Sequence, residues 1–345
     1  MVAGKVGGMS DRVRWWAAGG AAVWGLLAAG CSRAPSYLHT RGYAADQQAK
    51  LGWSLLIIAS VVVLVIAALV LWAVLRHPRG EPAPVARSTG GLRWVVVGGI
   101  IVPAVVLLVT FIFTMATYSA LAAPPAPPAL TIQVVGHRWW WEAKYPGRSP
   151  GDLAVTANEI HIPVSRPVRF ELTTADVIHS FWFPELGGKT DLIPGQRNVT
   201  WLQADTAGTY WGQCTEYCGL QHAHMQMSIV AEPAAEFRQW LDRQREPASP
   251  PTEAAARQGQ QIFTASACSL CHTVRGTDAH GAVGPDLTHV ATRASLAAGA
   301  LPNTRGYLAG WIANPQELKP GTAMPAVGLS PQQLQAVVTY LESLR

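Results

Sequence analysis

Side chains able to do redox or metal chemistry cluster in two short runs of this 345-residue chain. The first reads Cys214-Thr-Glu-Tyr-Cys218-Gly-Leu-Gln-His222-Ala-His-Met225 and sets two thiols, an imidazole and a thioether on one loop. Thiolate with imidazole suits copper, and a weak methionine ligand marks copper electron-transfer sites. Two cysteines imply two thiolate bridges, hence a pair of copper ions sharing one delocalised electron. A second histidine must come from elsewhere, and His179, in Asp176-Val-Ile-His-Ser-Phe-Trp182, is the best placed. Two other readings stay open: a zinc site of two cysteines and two histidines, or a disulfide beside incidental His and Met. Neither accounts for Met225. His224 breaks the His-x2-Met spacing and reads as a satisfied surface or supporting side chain.

The second run is Cys268-Ser-Leu-Cys271-His272. Cys-x-x-Cys-His is the attachment signal for c-type haem: both thiols form thioethers to the vinyl groups, and the histidine takes one axial position. The alternative, a redox Cys-x-x-Cys, lacks the βαβ pattern that would surround it. A downstream Met or His must supply the sixth ligand. Met324, in Lys319-Pro-Gly-Thr-Ala-Met-Pro325, is the only Met after the motif, with His280 and His289 as weaker candidates. A Met/His pair raises the potential of a haem, as an electron carrier needs.

The elements that hold these runs fall into separate blocks. From Thr131 to Glu232 short alternating runs broken by Gly, Pro and Asp predict strands: 131–135, 159–162, 167–172, 198–202 and 225–230. Many short strands at that spacing suggest a β-sandwich or barrel. A helix around Glu236 to Arg245 and the hinge Pro247-Ala-Ser-Pro-Pro251 follow. The last block, from about Glu253, reads as helical. Ser330-Pro-Gln-Gln333 is a capping box, and Leu334, Val338 and Leu341 recur at helical spacing behind it.

Charged residues make up only 14% of the chain, against roughly 25% in soluble globular proteins. The deficit has an address, because Trp15–Ser32, Leu51–Leu75 and Trp94–His137 carry no Asp, Glu, Lys or Arg. The second stretch and the third, to about Leu121, exceed the roughly 20 residues that cross a bilayer. The first is shorter, follows Arg12 and Arg14, and ends in Leu27-Ala-Ala-Gly-Cys31; residues 1–31 read as a signal peptide. Cys31 is a candidate lipidation site, although Ala28 stands where lipoprotein signals usually have leucine. Between the spans Arg76, Arg79, Arg87 and Arg93 face only Glu81, so that loop is cytoplasmic and everything after residue 122 lies outside. The net charge of +5 comes from the membrane part, and nucleic-acid binding is not indicated.

These features together resemble subunit II of a haem-copper cytochrome c oxidase with a cytochrome c domain fused at its C-terminus, the bacterial caa type. The residues that carry the resemblance are the two spans, Gly136-His-Arg-Trp-Trp-Trp-Glu142, Leu186-Gly-Gly-Lys-Thr-Asp-Leu-Ile-Pro-Gly195, the cysteine loop, and a haem block with Gly284-Pro-Asp-Leu287. The family implies two transmembrane helices (51–75 and 94–121), an all-β cupredoxin-like barrel over 131–232, a helix and Pro-rich linker over 233–252, and an all-α c-type cytochrome domain over 253–345. It implies a dicopper centre (CuA) held by His179, Cys214, Cys218, His222, Met225 and the backbone carbonyl of Glu216. The Glu216 carboxylate would point toward subunit I and a magnesium ion. Trp139 matches the tryptophan through which the family receives electrons, although an aromatic belt at the membrane interface would use the same residue type.

The implied function is a relay in a proton-translocating oxidoreductase of the bacterial plasma membrane. Electrons from cytochrome c or a cytochrome bc complex would pass through the chain's own haem and CuA to the oxygen-reducing haem/copper site of subunit I, with subunit III as a further partner. The spans contain no His, so they cannot ligate the haems or copper of that site. Two departures stand out. Arg138 replaces the usual Gln before the first tryptophan, and Val96 and Gly99 stand where many relatives carry a Glu and a Trp, so proton uptake would use another group. A CuA-bearing nitric oxide reductase subunit is the alternative enzyme. Nitrous oxide reductase would need a large His-rich domain that this chain lacks. A membrane-anchored copper-delivery protein, the alternative of another class, leaves Cys268–His272 unexplained.

Overall fold

A computed structural model describes residues 36–76, 91–147 and 149–345. The signal peptide, Cys31 and residues 77–90 of the loop between the spans lie outside the described residues. Helix α1 (Tyr43–Arg76) and helix α2 (Gly91–Leu121) are 34 and 31 residues long and strongly apolar. Their leucines, valines and isoleucines are largely exposed, as side chains that face lipid must be. Within α2 a π-helical segment spans Val97–Ile101, next to Pro103. Proline has no N–H to donate and its ring crowds the carbonyl four residues back, so the extra residue of a π-turn relieves the clash.

Helix α1 begins at Tyr43, two turns before the uncharged run starts at Leu51. Hydropathy locates only the part that faces lipid, whereas these first turns are held by the β domain. Ala44 and Ala45 are buried. The Arg41 and Ala45 amides donate to the carbonyls of Glu185 and Leu186 at 2.8 and 3.2 Å. At the far end of α2, the Trp201 indole donates to the Leu121 carbonyl at 3.2 Å.

The β domain is a sandwich of two five-stranded sheets. One has the order β3-β2-β1-β5-β8 (Ala154–Ala157, Trp140–Tyr145, Thr131–His137, Val168–Thr174, Asn198–Leu202). The other has the order β4-β10-β9-β6-β7 (Glu159–Pro163, Gln226–Glu232, Gly208–Cys214, His179–Trp182, Thr190–Leu192). Alternation sets the register: Ile132 and Val134 of β1 and Trp141, Ala143 and Tyr145 of β2 point inward, and a one-residue slip would expose all of them. Phe170, Phe181 and Phe183 complete the buried aromatic centre. Five of these strands, β2, β3, β6, β7 and β9, are absent from the sequence-based set. Strands β3, β6 and β7 have only three or four residues, and charged residues interrupt β2 and glycine interrupts β9, so each carries little periodic signal.

Helix α3 (Ala234–Arg245) lays Phe237 and Trp240 on this sandwich. Trp240 stacks on His161, with ring centroids 4.0 Å apart. His161 lies between Glu159 and Glu232, at 3.2 and 3.3 Å. The haem block then runs through α4 (Ala254–Ala265), α5 (Cys268–Cys271), α6 (Arg305–Ala313), α7 (Pro315–Leu318) and α8 (Pro331–Ser343). Two minimal hairpins, Thr273–Val274 with Ala279–His280 and Ser295–Leu296 with Leu301–Pro302, add to the helical content. Both bonds of the Ser330/Gln333 capping box form. Helices α4 and α8 touch at Gly259, where an added Cβ would lie 2.0 Å from the Ala336 carbonyl oxygen.

Two predictions follow from this packing. Gly259→Ala must push α4 off α8 and should lower the stability of the haem block by about 1–3 kcal/mol, read as a lower Tm in thermal unfolding. Burial alone would lower the His161 pKa, but hydrogen bonds to Glu159 and Glu232 raise it above the ordinary 6.5. A raised histidine contributes stability in full below its unfolded pKa and loses it as pH climbs through the folded value. The Tm should therefore fall as pH climbs from about 6.5 through the folded value and level off above it, and His161→Gln should flatten the profile.

Candidate redox centres

The cysteine loop is the connection between β9 and β10, and its ends are joined by the last rung of their ladder. The Cys214 amide donates to the Met225 carbonyl at 2.9 Å. This rung brings the first and last candidate ligands together, and the other donors gather around them. The Cys214 and Cys218 sulfurs are 3.7 Å apart, too far for the ~2.05 Å bond of a disulfide. His179 Nδ1 lies 3.8 Å from the Cys214 sulfur, and His222 Nδ1 lies 3.6 Å from that of Cys218. Met225 Sδ is 3.8 Å from the Cys218 sulfur, and the Glu216 carbonyl oxygen is 3.2 Å from that of Cys214. All six candidate donors thus touch one or other of the two sulfurs or are those sulfurs, and His179, Cys214 and Cys218 lie within 4.8 Å of one another. His179, Cys214, Cys218 and Met225 are buried.

Two neighbours shape the His179 ring. Asp176 sits 2.8 Å from Nε2, which leaves Nδ1 free to face the thiols. Gly136 makes room, since a Cβ there would lie 2.8 Å from His179 Cδ2. The thiol pair shares a proton: the hydrogen bond from Cys218, with help from His179, pulls Cys214 down to about 4, and Cys218 is raised in turn. A thiolate is the form that binds metal. Glu216 turns its carboxylate outward, 4.0 Å from Lys189. His224 stays off the donor set and bonds the Gln221 side chain at 2.7 Å.

The haem motif occupies α5 and the residue after it. His272 Nδ1 bonds the Pro285 carbonyl at 2.8 Å, which makes Nδ1 the donor and leaves Nε2 with a free lone pair. Burial lowers the His272 pKa, favouring the neutral imidazole that an iron requires. Gly284 leaves space for the ring, for a Cβ there would lie 2.6 Å from His272 Cε1. An apolar cavity is lined by Cys268, Cys271, His272 and Met324. Neither His280 nor His289 reaches it: His280 is exposed, and His289 Nε2 bonds the Glu246 carbonyl at 3.0 Å.

Trp139 belongs to both neighbourhoods. Its indole N–H donates to the Cys218 carbonyl at 3.0 Å, and the residue lines the haem-motif cavity. It is 9% exposed and Trp141 is wholly buried, so neither serves as a lipid-facing belt. Besides Gly136, three residues escaped the sequence reading as parts of these centres. Asp176 was visible only as a neighbour of His179 in the chain. Arg138, flagged as a departure, places its guanidinium 3.7 Å from Asp176. Lys319 is a buried ammonium near Trp139; burial pulls it down to about 7, against the opposing effect of Cys218.

Two apolar helices, a β sandwich with a soft-ligand loop and a helical block with a haem-attachment motif define a membrane-anchored redox subunit. The chain matches the family model for the periplasmic domain of cytochrome c oxidase subunit II over residues 150–233, and that for cytochrome c over residues 256–345. Cytochrome c oxidase subunit 2 of Alkalihalophilus pseudofirmus is 35% identical over 294 residues, covering 84% of this chain and 83% of that protein. The Bacillus subtilis counterpart is 27% identical over 346 residues, covering 93% of this chain and 95% of that one. The crystal structure of the periplasmic domain of subunit II from Bradyrhizobium japonicum has 33% identity and a TM-score of 0.33, covering 35% of this chain and 96% of that one. The chain belongs to the cytochrome c oxidase subunit 2 family. It is therefore an electron-transfer subunit of a haem-copper terminal oxidase, associated with subunit I, anchored in the membrane with its sandwich domain on the outer face. Its two family domains imply copper and haem c.

Asp176→Asn would remove the carboxylate that fixes the His179 tautomer. Copper titration of the metal-depleted chain should then read a ~10–100-fold weaker affinity, the usual effect of losing such a partner, with the fold retained.

Proposed function

We propose that the chain carries electrons through two centres of its own. Cys268, Cys271, His272 and Met324 would hold a covalent c haem, and His179, Cys214, Cys218, His222, Met225 and the Glu216 carbonyl would hold a CuA dicopper centre. Bound there, the two groups supply one-electron chemistry, with electrons arriving from cytochrome c or a cytochrome bc complex and leaving for subunit I. The donor set supports copper over zinc, since a thioether and a carbonyl beside two thiols and two imidazoles suit a soft pair of ions rather than one tetrahedral one.

The protein's part is positioning and protection. Asp176 and Gly136 orient His179, the Pro285 carbonyl orients His272, and burial of the Cys214 and Cys218 sulfurs would keep water from a bound metal. Trp139 is the observation that carries the reading, because one side chain both touches the Cys218 carbonyl and lines the haem-motif cavity. Such a residue suits the role of electron acceptor that the family resemblance assigns it. The Glu216 carboxylate, half-exposed and opposed only by Lys189 among the described residues, suits a magnesium ion shared with subunit I. The proposed division is a signal peptide over 1–31, anchors at 51–75 and 94–121, a copper domain over 131–232, a linker over 233–252 and a haem domain over 253–345, with both redox domains outside.

The purified chain should contain two coppers and one covalent haem, read by elemental analysis and the optical spectrum. Zinc in place of copper, or haem removable by acid and solvent, would overturn the proposal. Met324→Leu should keep the haem attached but lower its potential, since a Met/His pair holds the potential high; an unchanged potential would reassign the sixth ligand.

A further inference from the structure

Lys319 is 2% exposed, and its Nζ donates to three backbone carbonyls: Trp139 and His224 at 2.8 Å and Ala297 at 2.9 Å. An ammonium has three donors and no acceptor, so all of its protons are used. Two acceptors belong to the sandwich domain and the third to the haem block. Among the described residues no carboxylate pairs with Lys319, so its direct partners are backbone carbonyls.

The surroundings are built for the same contact. Ala297, Ala298 and Gly299 all have positive φ, 52°, 60° and 80°, a run of left-handed backbone that costs free energy at the two alanines and persists only where its surroundings impose it. That tip delivers the Ala297 carbonyl to Lys319 and the Ala298 carbonyl to the Gln226 amide at 3.0 Å. Next to Lys319, the Pro320 carbonyl accepts from the Gln221 side chain at 2.8 Å. Gly321 then packs at the edge of the cysteine loop and Trp139: an added Cβ would lie 3.1 Å from Leu220 Cδ2 and in ordinary contact, 3.5 Å, with Cη2 of the Trp139 ring. Met324 follows three residues later. The segment that presents the proposed haem ligand is thus fastened to both Trp139 and the cysteine loop.

We propose that Lys319 is a positioning residue: its ammonium pins the haem block over Trp139, fixing the docked arrangement of the two redox domains and closing Trp139 to a second cytochrome. An external donor would then meet the haem block and not the copper domain. This rests on the reading above that the two blocks carry haem and copper.

The test uses the full chain in its assembled oxidase, with Lys319→Met, which keeps the length of the side chain and removes the charge, and Gln221→Ala, which leaves Lys319 in place and removes the bonds of the Gln221 side chain to the Pro320 carbonyl and to His224. Copper and covalent haem are assayed first; their absence from the parent protein would sink the proposed function. With both present, hydrogen exchange over residues 297–299 and 319–324 should speed up by about tenfold or more in Lys319→Met, which corresponds to ~1.4 kcal/mol, and by less in Gln221→Ala. Haem-to-copper electron transfer should slow and become viscosity-dependent with both spectra and potentials unchanged, and soluble cytochrome c should begin to reduce the copper directly. Should Lys319→Met fail to assemble, Gln221→Ala decides by the same readouts. Exchange and transfer rates equal to the parent's, with copper and haem retained, would overturn the inference.

Discussion

The hydrogen bond between the Cys214 amide and the Met225 carbonyl is the constraint from which the rest of the site follows. It is the last rung of an antiparallel ladder, so its geometry is set by six further pairs of residues along β9 and β10 and not by the loop it closes. Ten residues must then leave one strand and return to the other with five donor atoms converging. A loop free to choose its own ends would spend that order on entropy, whereas here the sheet has already fixed both termini. The same sheet supplies His179, because β6 pairs with β9 and sets Phe181 opposite Cys214.

Convergence of two thiols would ordinarily end in a disulfide in an oxidising compartment. In this structure the two sulfurs stand 3.7 Å apart and unbonded. Cys214 ends a strand and Cys218 sits on the returning turn, each sulfur with its own imidazole nitrogen within 4 Å. The arrangement spreads charge as well as position, since the hydrogen bond between the thiols lowers the Cys214 pKa and raises that of Cys218. Trp139 covers this loop by a hydrogen bond to backbone, so its ring is fixed without using any of the donor side chains.

Local chemistry was legible in the chain where identity and spacing were tied to one backbone segment. The Cys-x3-Cys-x3-His-x2-Met and Cys-x-x-Cys-His runs, the capping box at Ser330 and the two apolar spans are of this kind. His179 could be nominated only by context, because it arrives from a different strand. Asp176, Gly136 and Lys319 were invisible as participants, since their roles depend on which atoms the tertiary fold places beside them. Strands β6 and β7 were missed for a related reason: at four and three residues they are too short for a period to declare itself. The start of α1 at Tyr43 was hidden because its first turns are polar and draw their support from the sandwich instead of from lipid.

That last feature has a mechanical side. The outer ends of both membrane helices are fastened to the sandwich, α1 through the amides of Arg41 and Ala45 and α2 through the Leu121 carbonyl. A body held at two separated points cannot swivel on one leg, so the helices act as a pair of struts and the redox domains inherit their attitude. Bilayers of different thickness tilt helices that do not match them. A change of lipid would therefore reach the segment Glu185–Gly188 directly, and that segment leads straight into Lys189, the neighbour of Glu216.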